Sequence, residues 1–266
     1  MIAASGSLAA ESITLRPVAD TSLFVLNGGS NNFGANTTLV VGTTASGSTS
    51  RAVLRFDIAG NLPAQAIITS VQLNLVVTKA NSAGVGSTFA LHRLLQSWGE
   101  GNKTGNTGAP ATAGEATWFH RFFPATVWGA PGAAAPVDFS ADAGASANVD
   151  LPDTYTFGSS SNLVEDVQTW LGDPAANFGW IVLSQSEGTY SAAEDCRRES
   201  SGHQPRVSFH RGGRLQLRGR VCRRAPFNEL ACVDEFWRQN CRLRGRCYQR
   251  RPGSSSPLLS TEQSSV

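Results

Sequence analysis

Two arginines, Arg51 and Arg55, stand four residues apart in SRAVLRFD. A guanidinium group is a planar fork that grips a carboxylate through two parallel hydrogen bonds, so the pair could hold an anionic ligand. The alternation around them reads as a strand, with Ala52, Leu54 and Phe56 on one face and Arg51, Val53, Arg55 and Asp57 on the other. Asp57 supplies a competing role, because it shares that face and could pair with an arginine on or beside the strand. Such a pair, if exposed, contributes about 0 to 1 kcal/mol.

A second group of candidates lies around two long segments without regular periodicity, residues 99–114 and 129–149. Trp98, Trp118 and Trp128 fall in or beside them, and an exposed ring can cover a flat apolar ligand surface while polar neighbours set its orientation. His120 and Arg121 in TWFHRFF could add those polar contacts, whereas Trp170 and Trp180 sit in periodic elements and read as core. His92 and Arg93 are adjacent in TFALHRLL and must face opposite ways on a strand, so at most one joins any given site.

Acid–base chemistry would have to come from Glu100, Glu115, Asp138, Asp142 and His120, whose spacing along the chain does not define a spacing in space. The chain contains no GxSxG, HExxH, GxxxxGK[ST] or EF-hand pattern. Asp20, Asp138 or Asp142 could contribute to an oxygen-lined structural calcium site, but a lone loop acid is ordinarily solvated, and neither a metal nor another cofactor is expected.

The elements that must position these residues are mostly short β-favouring runs punctuated by Gly, Asn, Ser and Thr: ITLRP, SLFVL, TLVVG, RAVLRFD, IITSVQLNLVVT, TFALHRLL, NFGWIVLSQSE and RVSF. In the longest, Val71, Leu73, Leu75 and Val77 alternate with polar or smaller partners, as in a strand buried on one side. One helix is expected, SNLVEDVQTWLGD, with Asn162 and Glu165 as a capping box, Leu163, Val167, Trp170 and Leu171 on one face, and Gly172 ending it in a left-handed conformation. Nine to eleven strands and one helix plugging an end suit an all-β fold, an antiparallel β-sandwich of jelly-roll-like form.

Charge divides the chain. Residues 1–190 hold 7 Lys and Arg against 13 Asp and Glu, and residues 191–266 hold 15 against 7, giving −6 and +8. All five cysteines also lie in the second part, at spacings that form no CxxC pair, so zinc binding with His203 and His210 is a weak proposal. Residues 1–10 read as the remnant of a signal or linker, residues 11–209 as the sandwich module, and residues 210–266 as an Arg/Cys-rich disordered tail. The tail could attract nucleic acid electrostatically, but Arg/Cys-rich sequence beginning abruptly after a β domain is also what a shifted reading frame yields. No nucleic-acid partner is expected. No apolar run is long enough to span a membrane.

The ordered pieces ADTSLFVLNGGSNNFGANTTLVVG, RAVLRFDIAGNLPAQAIITSVQLNLVV, WGEG, ATW, LVEDVQTWLGDPAANFGWIVLSQSE and RRESSGHQPRVSF together resemble the DNRLRE-domain family over roughly residues 12–209. These are disaggregatase-related modules of secreted and cell-surface microbial proteins, some classed as alginate-binding carbohydrate-binding modules. The resemblance implies a non-catalytic, extracellular or cell-surface module, monomeric by its kind, that binds a polysaccharide. For such a ligand the residue chemistry above offers Arg51, Arg55, Trp98, Trp118, His120, Arg121 and Trp128 as the candidate set. The chain departs from the family's ending, with AAEDCRRES before QPRVSF, which bears on the last strand. A spacer or adhesion module without glycan binding is the alternative, and a polysaccharide lyase is third. The net charge of −6 on residues 1–190 means that attraction to an acidic polymer needs a local basic patch.

Overall fold

In a computed structural model the described residues are 11–43, 47–80, 86–187, 207–210, 213–224 and 230–232. The expected remnant at residues 1–10, Cys196, His203 and most of the chain beyond residue 224 lie outside them. The strands are β1 (Glu11–Leu15), β2 (Pro17–Phe24), β3 (Asn31–Asn32), β4 (Thr38–Thr43), β5 (Thr49–Phe56), β6 (Ala66–Lys79), β7 (Ser87–Leu94) and β8 (Ala109–Pro110). They continue as β9 (His120–Phe122), β10 (Thr126–Val127), β11 (Phe139–Val149), β12 (Thr154–Phe157), β13 (Trp180–Ser184), β14 (Val207–His210), β15 (Arg214–Arg224) and β16 (Leu230–Cys232). One α-helix, α1 (Ser161–Gly172), lies between β12 and β13. Part of the surplus over the expected strand count comes from two short ladders, β3 with β8 and β9 with β10.

The main strands form one antiparallel ladder folded on itself. One half carries β12, β6, β15 and β1; the other carries β2, β5, β13, β7 and β11; β14 and β4 join them. The central core shows that the halves face each other. Leu73, Leu75, Leu215 and Leu217 from the first half pack in the same cluster as Leu54, Phe56, Phe89 and Trp180 from the second. This is the antiparallel all-β sandwich expected from the alternating patterns.

Helix α1 closes one end by placing Leu163, Val167, Trp170 and Leu171 in that core. Its cap differs from expectation: the Ser160 hydroxyl accepts from the Leu163 N–H at 3.1 Å, so Ser160 does the work assigned to Asn162. Gly172 stays helical, and Asp173 ends the helix with its N–H donated to the Thr169 carbonyl at 2.8 Å.

Two further expectations are corrected. Residues 139–149 form the edge strand β11 rather than a loop, with register shifts around Ala143 against β7. Its small residues misled the reading because their purpose is close approach: a Cβ on Gly144 would come within 2.9 Å of Leu163 on the helix. The second correction concerns the tail. Strand β15 pairs with β6 along Arg214–Val221 and with β1 along Leu215–Gly219, and Leu215 and Leu217 are fully enclosed. The sandwich therefore extends past residue 209, and this stretch is not disordered.

Candidate functional site

The opening strand behaves as its alternation requires on one side. Ala52, Leu54 and Phe56 enter the central core, while Val53 joins a second cluster on the opposite face of the sheet. That cluster also holds Leu23, Ile181, Leu94, Trp98, Trp118, Trp128 and Phe139, so the chain between β7 and β11 lies over the second half-sheet as an added layer.

This layer is held by polar side chains turned inward. Asn32 donates to the Glu100 and Ala116 carbonyls at 2.8 and 3.0 Å. Glu115 accepts from the N–H groups of Asn102 and Thr112 at 3.1 and 2.7 Å and pairs with Lys103 at 3.2 Å. Burial pushes the Glu115 carboxyl up, but these donors outweigh it and hold the group below the usual range. Asp138 accepts from the N–H groups of Gly129 and Ala134, and Glu100 accepts from the Asp20 N–H at 3.1 Å. Three of the acids considered for catalysis thus fasten loops. Among the described residues no group of three or more His, Cys, Asp or Glu is arranged to hold a metal ion.

The predicted ligand residues separate into fastened and presented groups. Arg51 donates to Glu187 at 2.7 Å and to the Gly132 and Ala133 carbonyls at 2.8 and 2.6 Å, with its guanidinium over the Trp118 ring at 5.5 Å. Burial raises the Glu187 pKa, and Arg51 opposes that rise. Trp98, Trp118 and Trp128 are 7, 8 and 3% exposed, and the Trp98 and Trp128 indoles donate to the carbonyls of Phe178 and Thr117. Rings so enclosed have no face to offer a sugar in this conformation; they cement the layer to the sheet. Asp57 does not meet an arginine but accepts from the Gly60 N–H at 2.9 Å, building the turn after β5. Arg55 is half-buried and, among the described residues, its side chain makes no ion pair or hydrogen bond.

His120 and Arg121 remain at the layer's rim on β9, which pairs with β10. His120 Nδ1 lies 3.1 Å from the Thr117 hydroxyl, and Arg121 donates to the Ser97 carbonyl at 2.9 Å with its guanidinium 6.0 Å from the Phe122 ring. Beside them Phe119 is 39% exposed, and Val127 is more so. Phe119 was not singled out from the sequence, where it stands inside TWFHRFF with no pattern that marks which of its rings is exposed.

A separate polar cleft of about 160 Å³ opens between β7, the irregular part of β11 and the start of α1. It is lined by Arg93, Asp142, Asn162, Glu165 and Asp166. Asp166 receives the Trp180 indole N–H at 2.8 Å and lies 3.4 Å from Arg93; burial raises its pKa against both partners. Arg93 faces this cleft while His92 turns to the covered face, the opposition expected of neighbours on a strand: Arg93 registers with Trp180, and His92 packs on Phe139.

Residues 11–123 match the model of carbohydrate-binding module family 96. The match supports a carbohydrate-binding-module-like chain and spans the first strands, the long loop and the β9 rim. No curated protein matches the chain. Among the described residues no helix is long and apolar enough to cross a membrane.

Proposed function

We propose that this protein is a non-catalytic carbohydrate-binding module of an extracellular or cell-surface microbial protein, with a polysaccharide as its ligand and an acidic, alginate-like polymer as the first to try. The match of residues 11–123 to carbohydrate-binding module family 96 carries the reading. The β9 rim gives it a chemical form. Phe119 offers an exposed ring for the apolar face of a pyranose, and one of His120 and Arg121, neighbours on β9 that face opposite ways, can add hydroxyl or carboxylate contacts. Arg55 is the second candidate cation, and Arg51, Trp98, Trp118 and Trp128 support the layer from beneath.

Affinity electrophoresis of the full chain in gels containing alginate, pectin, xylan or chitosan tests the proposal. Retardation by at least one polymer is expected, with Phe119→Ala weakening it by about 1 kcal/mol while the fold is retained. Unchanged mobility of the folded protein in every gel would favour a spacer or adhesion module, a reading to which the fully packed tryptophan layer lends itself. Release of unsaturated oligosaccharides would establish a lyase instead.

A further inference from the structure

We infer that the open face of the β12–β6–β15–β1 half-sheet is a second binding surface, built to take an extended anionic glycan across Arg214 and Arg218. The inference rests on the polysaccharide reading above but not on the β9 rim. Direct pairing places Arg214 opposite Asn74, Gln216 opposite Gln72 and Arg218 opposite Ser70. Opposed residues in an antiparallel pair share a face, and here it is the face turned away from the core, since Leu215 and Leu217 point inward between them. Arg214, Gln216 and Arg218 are exposed. The flanking strands add only hydroxyls to that face, Thr14 and Ser12 opposite Gln216 and Arg218, and Thr156 opposite Asn74.

The composition is directional. Glu11 is the single acid in these four strands, and it alternates with Ile13 and Leu15 towards the other side. Among the described residues nothing pairs with either guanidinium; Arg218 is met at its carbonyl, which accepts from the Thr69 hydroxyl at 3.2 Å. Residues 1–190 carry a net −6, so an anionic polymer would be repelled unless a basic patch were supplied locally, and β15 supplies one. Four residues along a strand separate the Cα atoms of the two arginines by roughly 13 Å, while adjacent strands stand about 4.8 Å apart. The result is two forks set among amides and hydroxyls, with Ile67 and Val76 exposed towards the two ends of the row, an open surface that suits several consecutive sugars of a chain rather than one enclosed ring. The chemistry recognised is an anionic group on a polyol, either a carboxylate or a sulfate ester.

The test is affinity electrophoresis of the full chain and its R214Q/R218Q variant against alginate, dextran sulfate, xylan and single-stranded DNA. Alginate should retard the wild type, and the double substitution should weaken that retardation roughly tenfold or more, with little change for xylan. Comparison of alginate with dextran sulfate assigns the carboxylate or the sulfate source. Equal retardation of wild type and variant by both anionic polymers would overturn this surface while leaving the polysaccharide reading intact. No retardation of the wild type by any glycan would remove both. Equal dependence on the two arginines for DNA would reduce the face to an unselective basic patch and overturn the glycan assignment. Amide-exchange protection of residues 70–74 by alginate in the wild type is expected too, and its absence would count against the surface without any substitution.

Discussion

The two outer faces of the sandwich have the same backbone architecture and opposite fates. On the β2–β5–β13–β7–β11 half, outward positions carry Leu23, Val53 and Ile181, and a long loop with three tryptophans covers them. On the β12–β6–β15–β1 half, outward positions are mostly polar, Ser70, Gln72, Asn74, Gln216 and two arginines between Ile67 and Val76, and they meet solvent. The difference teaches that a tryptophan near a loop is evidence about covering before it is evidence about binding. An apolar outward row demands a lid, and large rings make one. A polar outward row demands nothing and stays available to a ligand.

The largest expected effect breaks the covered side. Trp118→Ala should cost about 4 kcal/mol in urea unfolding, because the ring fills the space against Gly132 beneath Arg51. A loss of glycan retardation with stability unchanged would show instead that the ring is a ligand platform. Leu215→Ala should cost about 3 kcal/mol by the same measurement, since the side chain is fully buried in the central core; no loss would remove β15 from the sandwich and with it the open face as described. Arg51→Met should cost about 2 kcal/mol by leaving Glu187 without its cation, the figure being reduced because both groups keep some solvent access.

A smaller effect concerns pH. Burial raises the Asp166 and Glu187 pKa values in the folded protein, so their contribution to stability is complete below the ordinary carboxylate range and is lost as pH rises through the raised values. Asp166→Asn still accepts from the Trp180 indole and stays neutral, so urea midpoints from acid to neutral pH should fall less steeply in the variant. Glu115 works in the opposite sense: its lowered pKa gives stability present above the usual carboxylate range and lost as pH falls through the folded value. The smallest stability change belongs to the open side, where R214Q/R218Q should unfold within about 0.5 kcal/mol of the wild type.

Much of the frame was legible because its signals were long or chemically marked. RAVLRFD and VQLNLVV repeat with period two over enough residues to exclude a helix, and SNLVEDVQTWLG shows one apolar helical face. Strand β11 was obscured because FSADAGASANV gains its place through small side chains that admit α1, and small residues also mark loops. Strand β15 was obscured by its arginines: RLQLR alternates correctly, but five residues inside a basic run carry little weight. The site was less legible than the fold. Residue types identified Arg51 and the three tryptophans as unusual, but which side of a layer a ring faces depends on the loop's inward hydrogen bonds through Asn32, Glu115 and Asp138. No spacing along the chain announces those bonds.

The central claim is that the exposed surfaces of this sandwich bind polysaccharide, and calorimetric titration of the full chain with alginate oligosaccharides tests it most directly. The account predicts saturable heat that Phe119→Ala and R214Q/R218Q each diminish without shifting the unfolding midpoint. Absence of heat with these oligosaccharides and with neutral and amino-sugar oligomers, from protein that unfolds cooperatively, would contradict it.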